Sequence, residues 1–265
     1  MAAAAQTCFW KHPPAEQARF DCFDGKSRVC ARCCVERCRT ESPEWFAECA
    51  AAGHPTWPAS LREAKPPAKL VVLESYWNRR LFNPSSVRGF LDALAPLAQP
   101  PLAIAHRYVE SGRGLAHYAR RPDGVLWTDR RAWDTPVFYL AFHGKPGSVV
   151  SVLDTIGEPA LCRAFAGYGT ENHLVYFAAC GTLGGARGRA FARKFLRASG
   201  ARAVFGYAKD VDWLESMLID LLFLRRFYAA KNPWRELGAI ARSVRRDLAP
   251  ARRLGWTWVL RDGGD

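Results

Sequence analysis

Two runs of this chain carry no polar alternation at all, Pro136-Val-Phe-Tyr-Leu-Ala-Phe142 and Leu174-Val-Tyr-Phe-Ala-Ala179. Each is too short for an ordinary helix, and a strand with one wet face would alternate polar and apolar side chains. Each run therefore predicts a strand covered on both faces. Lys69-Leu-Val-Val-Leu73 and Ala203-Val-Phe-Gly-Tyr207 have the same character, and Leu102–Val109 and Gly255–Leu260 read as further strands. Val149–Leu153 reads as a small hairpin arm. Between them lie segments of helical spacing: Ser85–Leu94, residues 111–122, Pro159–Ala166, Gly188–Ala198, Asp212–Ala229 and Pro233–Leu248. Serine can cap the first, Gly200 stops the fourth, and Pro233 suits the first turn of the last. Strand and helix alternate, which predicts an α/β fold with a mostly parallel sheet of about six strands and helices on both faces. Sites in such sheets form outside the carboxyl ends of the strands.

The alternation begins only after Pro66-Pro67, a stiff linker. Residues 1–68 then read as a small Cys-rich N-terminal extension, and residues 69–265 as the α/β domain. Seven of the nine cysteines precede residue 50. An odd count with no apolar signal segment argues against a disulfide framework and for a cytoplasmic chain with reduced thiols. Cys30 and Cys33 form a C-x2-C pair of the kind structural zinc takes. The second clean pair is missing, so zinc at Cys30 and Cys33 stands beside loosely packed free thiols as a reading of this segment. No apolar run approaches the roughly 18–20 residues needed to span a bilayer, so no membrane partner is expected.

The net charge is +13, and residues 186–265 alone contribute +9. Such an excess can recruit nucleic acid or an acidic protein. Here the basic residues are spread along helical faces and are not clustered with aromatics, which favours solvated surface. Glu74, just after the first strand, reads as a solvated carboxylate, with a site-lining role as the alternative. His117 and His173 read as surface histidines, and Trp213 as core.

Chemistry concentrates at the ends of the two apolar runs. The first ends in His143-Gly144 and the second in Cys180-Gly181, 37 residues apart by the histidine and cysteine. That interval holds one crossover helix, so the two strands are expected to be neighbours. A thiolate nucleophile needs a histidine to manage protons and donors for an oxyanion, and glycine beside each lets a substrate backbone approach.

The two motifs together resemble the caspase-like (clan CD) cysteine peptidases, a group that includes caspases, metacaspases, legumain, gingipains, separase and the bacterial CHAT-type domains. The stretch Phe205-Gly-Tyr-Ala-Lys-Asp-Val-Asp-Trp-Leu-Glu-Ser216 is similar to the CHAT-type continuation into a long helix. Residues 69–260 also resemble an uncharacterised bacterial family through Leu73-Glu74, Ser86-Val87-Arg88, Phe142-His143-Gly144 and Val211-Asp212-Trp213-Leu214-Glu215.

The resemblance implies a caspase-like three-layer sandwich and a regulated endopeptidase of bacterial defence or signalling type. Cys180 would be the nucleophile and His143 the general acid. The backbone N–H groups of Gly144 and Cys180 would hold the oxyanion. It implies a polypeptide substrate, a regulatory protein partner and no cofactor for catalysis. The competing reading is a catalytically inactive module of the same fold, whose basic face recruits nucleic acid or an acidic protein. Basic residues would suit an acidic side chain next to the scissile bond, but no arginine can be assigned to a pocket from the sequence.

Overall fold

The computed structural model divides the chain into two compact units, residues 1–67 and 68–265. It describes residues 68–77, 85–98, 101–121, 123–128, 135–166 and 173–261, and in the first unit the backbone of 20–21 and 28–29. Those first pairs, β1 (Phe20–Asp21) and β2 (Arg28–Val29), form an antiparallel ribbon. Cys30 and Cys33 lie outside the described residues.

In the second unit the apolar runs become strands at nearly the expected bounds. They are β3 (Ala68–Glu74), β4 (Leu102–Tyr108), β5 (Val137–Ala141), β9 (Leu174–Ala178), β10 (Ala203–Tyr207) and β11 (Trp256–Leu260). They form one sheet in the order β11-β10-β9-β5-β3-β4, parallel throughout except for β11. Counted in chain order the strands run 2-1-3-4-5-6, so the winding direction reverses between β3 and β5. That reversal opens a crevice at the carboxyl ends of the strands, where sheets of this kind place their sites.

Side chains alternate between two cores. One face carries Leu70, Val72, Tyr139, Tyr176 and Phe205 against α1 (Arg88–Leu94), α6 (Trp213–Ala229), α7 (Pro233–Asp247) and α8 (Ala249–Arg253). The other carries Val71, Leu73, Phe138, Leu140 and Phe177 against α2 (Gly112–Ala119), α3 (Val125–Thr128), α4 (Glu158–Ala164) and α5 (Gly185–Ser199). Both faces are covered, which is why β5 and β9 read as unbroken apolar runs. The helix α5 follows the same logic at period 3.6: Phe191, Ala192, Phe195 and Leu196 turn inward, and Gly200 ends it at φ +71°.

Three short strands, β6 (His143–Lys145), β7 (Ser148–Val150) and β8 (Thr155–Gly157), form a separate antiparallel sheet after β5. The expected hairpin arm is thus part of a larger element that begins at His143 itself. Glu74 and His173 depart from expectation, both being buried. The ring of His173 lies against Phe138 at the foot of β9. No helix among the described residues is long and apolar enough to cross a membrane.

Candidate active site

β5 and β9 lie side by side, with Ala141 opposite Ala178. A further bond runs from the Phe142 N–H to the Ala178 carbonyl at 3.3 Å. His143 and Cys180 each stand two residues beyond that pair, His143 as the first residue of β6 and Cys180 in the turn that follows β9. Both line one cavity of about 140 Å³ on the α6 side of the sheet.

Cys180 opens a tight turn that is fixed from outside. The Gly181 N–H donates to the Lys209 carbonyl at 2.9 Å and the Leu183 N–H to the Tyr207 carbonyl at 3.0 Å. Gly181 has φ +58°, a conformation that favours glycine. His143 comes from the other side, at the base of the β6–β7 hairpin. The hairpin tip is tied to the cysteine turn by Gly147 N–H to the Thr182 carbonyl, 2.9 Å.

Gly144 is pressed against the cysteine backbone. A Cβ there would lie 2.9 Å from the Cys180 nitrogen, 2.5 Å from Thr182 Oγ1 and inside the surface of the Cys180 carbonyl oxygen. Only glycine fits. In a two-residue hairpin the closing pair, Lys145–Ser148, exchanges the ladder bonds and bonding then alternates. The Gly144 N–H therefore points away from β7. Neither that N–H nor the one of Cys180 has an acceptor among the described residues.

The imidazole of His143 is oriented by main chain. Its Nε2 lies 2.8 Å from the Trp77 carbonyl oxygen, and a carbonyl can only accept. The proton of the neutral ring therefore sits on Nε2, and Nδ1 is the basic nitrogen. The Trp77 ring stands edge-on to His143 at 5.2 Å and to Trp213 at 4.6 Å. Trp77 is itself held by Glu74, whose carboxylate accepts from Trp77 Nε1 at 2.5 Å, Ser86 Oγ at 2.6 Å and the Val87 N–H at 2.9 Å. His106 Nε2 lies 2.6 Å from the same carboxylate. Glu74 is 0% exposed. Burial alone would raise its pKa, but the bonds from His106, Ser86, Val87 and Trp77 outweigh burial and hold it below the ordinary value of 4.5. The carboxylate read as solvated is the buried anchor of the histidine's support.

The cavity floor is a polar network. Asp220, on α6 and 1% exposed, accepts from the hydroxyls of Tyr139, Tyr176 and Tyr207. These come from β5, β9 and β10, three neighbouring strands. Trp256 Nε1 donates to Tyr176 Oη at 2.6 Å. Burial raises the Asp220 pKa from 3.8 to about 6, against the pull of the three hydroxyls. Trp77, Val87, Trp213 and Met217 supply apolar wall, and no arginine or lysine among the described residues lines the cavity. Trp213, read as core, is half-buried in this wall.

The structure thus brings together His143, Gly144 and Cys180. Among the described residues no group of three or more His, Cys, Asp or Glu is placed to hold a metal ion. The sequence reading missed Trp77, whose contribution is a carbonyl, and Asp220, which sits in an apolar helix with no motif around it. The only signal for Asp220 was a lone carboxylate inside the otherwise apolar run Met217–Leu224. No protein-family model matches this chain, and no curated protein matches its sequence.

Proposed function

We propose that the chain is a caspase-like cysteine endopeptidase acting through a thioester on Cys180. One observation carries the reading: His143 and Cys180 each stand two residues beyond the paired ends of neighbouring strands and line one cavity, with the histidine tied by Nε2 to the Trp77 carbonyl. That tie leaves Nδ1 to take the thiol proton. Sulfur then bonds to the substrate carbonyl carbon, and the oxyanion forms beside the N–H groups of Gly144 and Cys180. The C–N bond breaks as the proton on Nδ1 passes to the leaving amine, and water, deprotonated by the same nitrogen, hydrolyses the thioester. The three-layer arrangement around a mostly parallel sheet is the frame that the caspase-like resemblance implies.

The cavity is the receptacle for the side chain on the acyl side of the scissile bond. Its aromatic and aliphatic walls suit a long apolar stem, and Asp220 with no basic partner suits a cationic tip over an acidic one. This reverses the preference that overall charge suggests.

The experiment is cleavage of a proteome-derived peptide library by the full chain, read by mass spectrometry against Cys180→Ala. New termini that vanish in the variant, with lysine or arginine preceding the cut, support the proposal. Equal products from the two proteins, or none from either, overturn it.

A further inference from the structure

The sheet ends at β11, and the arginines that the sequence scatters over three elements converge there. α5 contributes Arg189, Arg193 and Arg197, four residues apart and so in one line along the helix. Arg245 comes from α7 on the opposite face of the sheet, and Arg261 follows β11. With Trp258 they line a groove of about 640 Å³ along the strand. No acidic side chain among the described residues lines it. The guanidinium groups of Arg189, Arg193, Arg197 and Arg245 have no ion pair or hydrogen bond among the described residues, whereas Arg261 Nε is fixed on the Ala201 carbonyl at 3.0 Å. Trp258 also carries a buried indole N–H with no acceptor.

The main chain of the groove is a pairing edge. Ala208 N–H bonds to the Gly255 carbonyl and Arg261 N–H to the Arg202 carbonyl. Bonding alternates along an antiparallel ladder, so Thr257 and Val259 face β10, and the N–H and C=O of Trp258 and Leu260 face outward. We propose that this groove binds an acidic polypeptide segment that adds to the sheet as a strand beside β11.

Three features select that occupant. Exposed carbonyls alternate with the N–H donors, which suits a peptide backbone and repels a phosphate chain. Arginines stand on both faces of the edge, and successive side chains of an added strand point to both faces, so a run of consecutive Asp or Glu meets both sets. The α5 arginines span about 12 Å, the length of about four strand residues. A second copy of this chain would bring arginines against arginines. None of the groove residues lines the cavity of His143 and Cys180.

The test uses the full chain and a fluorescein-labelled peptide with six consecutive glutamates, followed by anisotropy at low salt. The comparison probes are the same peptide N-methylated at all six glutamate nitrogens, which keeps its charge, and a single-stranded oligonucleotide of equal charge. The proposal expects at least tenfold weaker binding of the N-methylated peptide, which cannot donate to the ladder in either register, and of the Arg189→Glu/Arg193→Glu/Arg197→Glu variant. These three side chains are exposed, and circular dichroism with Arg→Gln counterparts separates misfolding from lost affinity. Equal affinity for the N-methylated peptide, tighter binding of the oligonucleotide, or binding untouched by the charge reversals in a folded variant overturns it.

Discussion

The Nε2 nitrogen of His143 lies 2.8 Å from the carbonyl oxygen of Trp77, so the backbone beyond the first strand of the domain sets which nitrogen of a histidine 66 residues later carries the proton. The bond does not depend on the Trp77 side chain. The position of that carbonyl does, through the hold of Glu74 on the indole.

Glu74→Gln is expected to lower stability by about 2–4 kcal/mol, because a buried acceptor of several bonds is replaced by a group that must place an amide among donors. Urea unfolding followed by tryptophan fluorescence measures it. A change below about 0.5 kcal/mol would mean that the carboxylate is not the anchor described.

Gly144→Ala is expected to reduce cleavage at least a hundredfold while the sheet remains folded. The added methyl has to displace the Cys180 backbone or Thr182, and both lie within 3 Å. Peptidase assays beside circular dichroism decide it. Retained activity would place the oxyanion elsewhere.

Iodoacetamide is expected to modify Cys180 faster than Cys162. The Cys162 thiol is pushed up by burial and by Glu158, so less of it is thiolate near neutral pH. Peptide mapping after a short exposure reads the ratio. Equal rates, or faster modification of Cys162, count against a reactive Cys180.

Asp220 imposes a pH dependence with a definite sign. Its folded pKa, about 6, is above the ordinary 3.8, so between these values the folded state binds more protons than the unfolded chain. Stability contributed by this group is full below 3.8 and falls as pH rises toward 6, by about 2–3 kcal/mol in all. Glu74 acts oppositely, losing its contribution as pH falls below 4.5, so the comparison with Asp220→Asn is made between pH 4.5 and 7. Urea melts should show a downward slope that Asp220→Asn removes. Parallel profiles for the two proteins would exclude the assignment.

Matched fluorogenic substrates should be cleaved at least tenfold faster with lysine or arginine before the scissile bond than with aspartate. Asp220→Asn should narrow that ratio without reversing the requirement for Cys180. A preference for aspartate would show that another surface reads the substrate.

The sheet was legible because burial on both faces leaves a local trace: Val137–Ala141 and Leu174–Ala178 are apolar at every position, and a single crossover makes them neighbours. His143 and Cys180 were legible for the same reason, each marking where such a run stops. Glu74 was not, since its partners Trp77, Ser86 and His106 arrive from 3, 12 and 32 residues away and no pattern near residue 74 announces them. The arginine groove was half legible. The spacing of Arg189, Arg193 and Arg197 puts them on one line of a helix, but Arg245, Arg261 and Trp258 join them only through the position of β11 at the sheet edge.

The strand order carries a consequence for synthesis. From β5 onward the sheet grows outward in chain order, β5, β9, β10 and β11, each new strand laid on the last. A chain emerging from the ribosome therefore possesses His143 and Cys180 before Val211, Trp213 and Asp220 exist. The nascent protein has His143 and Cys180 before the far wall of their shared cavity, and the last part of that wall to arrive carries Asp220.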